Sequence, residues 1–127
     1  VDDLMAGHEF VDVIGLSSYG WDLPDPKKPS YQPMHGKPKP ALTPIPYRIM
    51  VPCGVDNLIC PGRAVSVERD VMGPLRVMAP CMAMGEAAGI AAVQVVSRSV
   101  PFRDVDMSML LDGLRQSGAV LEMPVTG

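Results

Sequence analysis

One arginine stands directly before a long apolar segment, and together they could bind a negatively charged or electron-rich group. Arg76 opens the stretch RVMAPCMAMGEAAGIAAVQVV, which carries one further charge, at Glu86. The run predicts a helix, and Pro80 suits its first turn because that position needs no backbone N–H donor. Free N–H groups at a helix start, together with the helix dipole, attract negative charge. Arg76 would add a full positive charge at the same place.

The predicted helix is apolar on nearly all sides, so it needs more surroundings than this chain supplies. A helix without a polar face is typically buried in a large protein or in a membrane. Gly85, Ala88, Gly89 and Ala92 fall at helical spacing and form a stripe with no side chain larger than a methyl group. Another backbone or a flat ligand could therefore approach this face closely.

A membrane span is the alternative interpretation of the same helix. A GxxxG pattern in an apolar run is also a signal for helix pairing in membranes. Pro80, Glu86 and Gln94, and the weak hydrophobicity of so many alanines and glycines, argue against it. We therefore expect no membrane partner.

The other chemically interesting side chains have simpler interpretations. Cys53, Cys60 and Cys81 are 7 and 21 residues apart, which matches neither a CxxC metal motif nor a disulfide framework. We expect buried thiols, a reducing compartment and hence a cytoplasmic location. His8 and His35 lack partners at ligand spacing, so no metal site is predicted.

Two further predictions concern the apolar segment and the residues before it. Glu86 is interpreted as a polar group held by a neighbour rather than as a catalytic base. The methionines at 72, 78, 82 and 84 are predicted to fill a core. If Arg76 is an ordinary surface residue, Glu68 or Asp70 would be its ion-pair partner.

Composition and charge exclude several classes of protein. The chain has 127 residues, 47% of them hydrophobic and 20% charged, which favours a globular chain over a disordered one. Its net charge of −3 and the absence of a basic block with interleaved aromatics argue against a nucleic-acid partner. The chain starts at Val1 without the features of a secretory signal, so we expect a cut or processed chain.

The first half of the chain predicts little regular structure. EFVDVIG could form a helical turn or a strand, and LSSYGWD is interpreted as a strand. Nine of the fourteen prolines lie between Pro24 and Pro52. Proline fixes φ and donates no ladder hydrogen bond, so this stretch should be an ordered covering loop or an extended edge.

The second half predicts a strand and a second helix around the apolar one. Leu58 to Cys60 is predicted as a short strand ended by Pro61. Near the end of the chain an apolar pattern at helical spacing predicts a short amphipathic helix, with Gly118 as its C′ glycine. Its apolar positions are Val105, Met109, Leu110 and Leu114. Its N-cap is either Asp104 or Asp106.

Four short motifs in one order carry a resemblance to a known family. They are IPYR, a loop ending in DNL, a GR, and the stretch RVMAPCMAMGEAAGIAA. From Ile45 to Ala92 the sequence resembles the carboxy-terminal part of FAD-dependent oxidoreductases, flavoproteins of the glutathione-reductase-like superfamily. The resemblance implies FAD as the cofactor, hydride transfer as the chemistry and a small molecule as the substrate. It leaves the catalytic residues unknown.

The resemblance also implies roles for individual residues. The Gly62-Arg63 loop would lie along the ribityl and pyrophosphate region of FAD, and Ser66 would also be a cofactor residue. The helix start would face the N1 and C2 carbonyl edge of the flavin, and Tyr47 and Arg48 would lie on the substrate side. The implied cofactor residues at the helix start are Arg76, Val77, Met78, Ala79 and Met82.

Two departures from the family pattern stand out. Ala79-Pro80-Cys81 replaces the usual Pro-Thr-Cys, so a threonine contact to flavin is lost. Trp21 to Pro24 lacks the histidine that many members carry two places after the Asp. Because that histidine is missing, its role in substrate chemistry is not carried over to this sequence.

A motif expected of the whole fold is missing. No GxGxxG occurs, although such flavoproteins use it to hold the ADP half of FAD. We therefore predict an α/β protein, α+β as an isolated piece: the end of a Rossmann-like FAD-binding domain over residues 53–127, with a substrate-domain remnant over 1–52. The missing amino-terminal part or another subunit would complete the site. The alternative is a noncatalytic module whose apolar helix docks to a partner chain.

Overall fold

The computed structural model describes residues 1–22 and 41–122, which form one long helix packed against a small sheet and several short helical segments. Short 3₁₀ turns occupy much of the connecting chain, at Tyr47–Met50, Gly62–Ala64, Arg69–Val71 and Phe102–Asp104. The helices and strands are α1 (Asp2–Met5), β1 (Val13–Ser17), β2 (Thr43–Pro46), α2 (Met72–Leu75), α3 (Met78–Arg98) and α4 (Met107–Gln116).

The sheet consists of β1 and β2, which pair antiparallel. Val13 lies opposite Pro46 and Ser17 opposite Thr43, with an irregularity between Val13 and Leu16. A two-stranded sheet has only edge strands, so the prolines of β2 are tolerated there. The extended edge predicted for the proline-rich stretch is therefore confirmed at β2, while residues 23–40 lie outside the described part of the chain.

Helix α3 forms the centre of the described structure and is buried along one face only. Met84, Ala87 and Ala91 of that face are fully shielded from solvent and belong to one core with Ile14 of β1 and Leu75 of α2. By length and apolar composition α3 could cross a membrane, which is weak evidence because core helices pass the same test. Pro80 occupies the first turn of the helix, as predicted.

The opposite face of α3 leaves apolar groups in solvent. Met78 and Met82 are 83% and 74% exposed, so the prediction that they fill a core is wrong, whereas Met84 does so. Val93 and Val96 are also exposed. The Met and Val side chains at these four positions share a helix face that nothing in the described chain covers.

Helix α4 has the ends that the sequence predicts. Asp106 is the N-cap and accepts hydrogen bonds from the backbone N–H groups of Ser108 and Met109, which decides between the two predicted caps. Gly118 adopts a left-handed φ of 92° just past the helix, as a C′ glycine does. Leu110 and Leu114 are buried as predicted.

Two local predictions are wrong. Leu58–Cys60 is not a strand, because the N–H of Cys60 bonds to the carbonyl of Met50 and no ladder forms within the described residues. Met109 is half exposed rather than part of the apolar face of α4.

Helices with a small antiparallel sheet make the described structure α+β. The core joins side chains from both predicted segments, including Ile45 and Met50 before residue 52 and Leu110 and Leu114 after it. The division at residue 52 stays a prediction.

Candidate functional site

The start of α3 is an uncapped helix end. Its N-cap position is Val77, in an extended conformation, and among residues 1–22 and 41–122 no side chain accepts a hydrogen bond from the first turn. Valine is among the poorest N-cap residues because it offers no acceptor. The N–H groups of Met78 and Ala79 precede the first helical hydrogen bond, from Cys81 to Val77 at 3.2 Å. These donors are available to a group outside the helix.

Arg76 lies beside this helix start because the short helix α2 ends there. Its backbone N–H bonds to the carbonyl of Met72 at 3.0 Å. Its guanidinium pairs with Asp22, Nη2 to Oδ1 at 3.3 Å, rather than with Glu68 or Asp70. The Nε atom is buried and has no hydrogen-bond partner among the described residues. A buried donor without a partner is costly, which is consistent with a missing acceptor at this position.

A cleft of about 330 Å³ runs between this helix start and the end of β1. The α3 wall is small and apolar, whereas the β1 wall carries the polar groups. The α3 side contributes residues of the first turns, and the β1 side contributes two serines and a tyrosine. The lining residues include Ser17, Ser18, Tyr19, Val77, Ala79 and Pro80.

The Gly62-Arg63 loop lies against the first turn of α3. Gly62 has a left-handed φ of 74°, which a side chain rarely adopts. A Cβ built there would lie 3.8 Å from the Cys81 sulfur, in ordinary contact. Arg63 is exposed. The structure therefore brings the predicted GR loop next to the predicted helix start.

Ser66, Tyr47 and Arg48 lie away from this cleft. Ser66 and Arg48 line a separate cleft of about 270 Å³. Tyr47 is buried and its hydroxyl donates to the carbonyl of Phe102 at 2.9 Å, so the group serves the core. Burial raises the pKa of Tyr47 to about 12. The substrate role predicted for Tyr47 and Arg48, and the cofactor role predicted for Ser66, stay predictions.

Arg48 is fixed by Asp12, a residue the sequence analysis did not single out. The buried Asp12 carboxylate accepts from Arg48 Nε at 2.9 Å, from Nη2 at 2.6 Å and from the backbone N–H at 3.0 Å. Burial tends to raise the pKa of Asp12, but the hydrogen bonds and charge of Arg48 outweigh it and lower the pKa overall. Thirty-six residues separate the pair, so no local pattern reveals it.

The other residues singled out from the sequence form no metal or catalytic site within the described part of the chain. Within residues 1–22 and 41–122, no three His, Cys, Asp or Glu side chains cluster as metal ligands would. Glu86 is exposed and accepts a hydrogen bond from the Ser117 hydroxyl, as predicted for a polar group held by a neighbour. All three cysteines are free, but none is fully buried as expected: Cys53 is exposed, and Cys60 and Cys81 are partly buried.

Comparison with known proteins places the chain in a family. No curated protein and no solved structure gives a significant match. A family model described as FAD dependent oxidoreductase matches residues 1–115, which is most of the chain. The chain therefore belongs to the FAD-dependent oxidoreductase family, whose cofactor is FAD.

Proposed function

We propose that this chain is the carboxy-terminal part of an FAD-dependent oxidoreductase, and that Arg76 and the start of α3 bind the N1 and C2 carbonyl edge of the flavin. One observation carries the proposal: an uncapped helix start lies beside an arginine whose buried Nε has no acceptor. The rest of the FAD site would come from a Rossmann-like part outside this sequence.

The described residues fit such a group. The pyrimidine edge of a flavin is flat, rich in acceptors and negatively charged when the cofactor is reduced. The helix start offers N–H donors, and Arg76, whose side chain is 33% exposed, offers a positive charge. Small side chains, such as Ala79, and the cleft of about 330 Å³ leave space for a flat ring.

The cofactor supplies hydride acceptance from a small-molecule substrate. What this chain supplies is position and electrostatics. The α3 dipole and Arg76 stabilise negative charge at the edge they face. Gly62 allows the left-handed turn that sets the loop against α3. Arg48 is proposed to lie towards the substrate, held in place by Asp12, while the buried Tyr47 supports the backbone next to it.

The exposed face of α3 supports the need for a further part of the protein. Added Cβ atoms at Gly85 and Gly89 would meet nothing within 4 Å in the described part of the chain. Met78 and Met82 lie on the same side in solvent. We propose that the amino-terminal FAD-binding part, or another subunit, covers this face, and that a lipid bilayer does not.

The test is the reduction potential of the flavin in Arg76→Met. Losing the charge should remove about 1–2 kcal/mol of stabilisation from the reduced cofactor, which corresponds to a fall of about 20–40 mV for a two-electron couple. Arg115→Met is the matched control, because it removes an equal charge from an exposed ion pair on α4. FAD occupancy is matched in all variants. Equal potentials in Arg76→Met and the parent would refute the electrostatic role.

The second candidate function is a noncatalytic module that docks through α3. The exposed Met78, Met82, Val93 and Val96 favour it as much as they favour a flavoenzyme. The two functions differ in one simple observation, because only the flavoenzyme purifies with the yellow colour of bound FAD.

A further inference from the structure

The carboxylate of Asp22 lies between a tyrosine and an arginine and is shielded from solvent. Its Oδ2 accepts from the Tyr19 hydroxyl at 2.7 Å, and its Oδ1 accepts from Arg76 Nη2 at 3.3 Å. Only 8% of the Asp22 side chain is exposed, against 33% for Arg76. Both carboxylate oxygens therefore accept a hydrogen bond, one from the neutral Tyr19 hydroxyl and one from the charged Arg76 guanidinium.

The backbone around Asp22 is held in place by two contacts. The indole N–H of Trp21 donates to the Thr43 hydroxyl at 3.0 Å in the core. Gly73 of α2 packs so closely that a Cβ there would lie 2.9 Å from the Asp22 nitrogen and 3.2 Å from the Trp21 Cα. These contacts tie Asp22 to the helix that ends at Arg76, so the ion pair has a defined position.

The ion pair changes what Arg76 can do. A carboxylate at 3.3 Å offsets part of the guanidinium charge in a partly buried setting. We propose that Asp22 is a positioning residue for the flavin reaction: it holds Arg76 beside the start of α3 and sets how much of its positive charge reaches the cofactor. The inference rests on the proposed function, which places Arg76 at the flavin edge.

Tyr19 connects this pair to the cleft. Its side chain is 45% exposed and lines the cleft together with Val77 and Ala79. Its hydroxyl is bound to Asp22, and this hydrogen bond raises the pKa of Tyr19. The titration of Tyr19 therefore reports on the Asp22 carboxylate independently of the flavin.

The experiment compares the FAD-loaded protein with Asp22→Asn, Arg76→Met and the double variant. Asparagine keeps the shape of Asp22 but removes its charge, so the equilibrium for flavin reduction should shift three- to tenfold towards the reduced form. That shift raises the potential by about 14–30 mV. Arg76→Met should shift it the opposite way, and the charge-neutral double variant should return close to the parent. Asp112→Asn, which changes the net charge equally on α4, should leave the potential unchanged.

A second readout needs no cofactor. The tyrosinate absorbance that is lost in Tyr19→Phe identifies the Tyr19 titration, and its pKa should fall towards about 10 in Asp22→Asn. If Asp22→Asn does not accumulate with FAD, Asp22→Ser replaces it, with the same expected sign.

The outcomes separate this inference from the proposed function. A potential that is unchanged or lowered in Asp22→Asn, with Arg76→Met lowered, overturns the role of Asp22 and leaves the proposed function standing. An unchanged potential in Arg76→Met at equal occupancy overturns both. A Tyr19 pKa that does not respond to Asp22→Asn shows that the cluster does not form, and also overturns the inference.

Discussion

At the residue scale, long-range polar pairs fix the side chains that the sequence marks as functional. Arg48 is bound by Asp12 and Arg76 by Asp22, each across a large separation in sequence. The arginines themselves could be identified from their motifs, but their partners could not. Neither carboxylate stands at a helical or strand spacing from its arginine, and only the folded chain brings the two together.

Asp12→Asn should destabilise the protein in a pH-dependent way. Asp12 is buried, but the Arg48 side chain is 60% exposed, so solvent screens the pair. Replacing the carboxylate should therefore lower the free energy of unfolding by about 1–2 kcal/mol at neutral pH. The pKa of Asp12 is lower in the folded state, so its contribution is present above its unfolded value of about 3.9 and is lost as the pH falls through the folded value. The difference in unfolding free energy between variant and parent should therefore shrink below about pH 4.

Urea unfolding at pH 7 and at pH 3 measures this difference. Asp112→Asn serves as the control because its ion pair with Arg115 is exposed, and it should change the stability little at either pH. A destabilisation by Asp12→Asn that is equal at both pH values would contradict the ionic contribution.

At the element scale, the amino-terminal ends of α3 and α4 differ in how they are capped. Helix α4 starts at an aspartate with three local hydrogen bonds, whereas α3 starts at a valine with none. Local capping chemistry made the limits of α4 predictable, because the cap and the C′ glycine act within a few residues. The false strand at Leu58–Cys60 shows the opposite case, since a strand needs a partner that no local pattern can specify.

Asp106→Ala should lower the free energy of unfolding by about 0.5–2 kcal/mol, because it removes the cap of α4. Asp106→Asn keeps a side-chain acceptor and should lose less. Asp104→Ala is the matched control, as Asp104 is exposed and makes no capping bond in the described structure. Thermal unfolding followed by circular dichroism measures all three, and equal losses in the two alanine variants would rule out the assigned cap.

Val77 offers a way to separate stability from cofactor binding at the start of α3. Both Val77→Asn and Val77→Asp introduce a capping acceptor, which alone is worth roughly 0.5–1 kcal/mol of stability. If the helix start faces the flavin edge, the added negative charge of aspartate should weaken FAD binding and lower the potential more than asparagine does. Flavin occupancy and spectroelectrochemical titration measure this contrast. Identical behaviour of the two variants would place the helix start away from the cofactor.

At the scale of the whole molecule, the features best predicted from the sequence are those that depend least on packing against distant segments. The apolar run of α3 shows its length and its missing polar face directly, but not which side of it would be covered within this chain. Met84 is buried and Met82 is exposed two residues away, because β1 and α4 pack on one face only. That outcome depends on the packing of distant segments.

The exposed face of α3 leads to a prediction about the complete flavoprotein. A Cβ at Gly89 would meet nothing within 4 Å among the described residues, and replacing a helical glycine by leucine would by itself gain most of about 1 kcal/mol. If another part of the protein packs on this face, Gly89→Leu should instead overpack the contact and cost about 1–3 kcal/mol. Gln116→Leu, which adds a leucine at an exposed position of α4, controls for the effect of an added apolar side chain. Thermal unfolding and FAD retention are measured for both variants. A Gly89→Leu protein that keeps its FAD and melts at or above the parent temperature would show that this face of α3 remains uncovered in the complete protein.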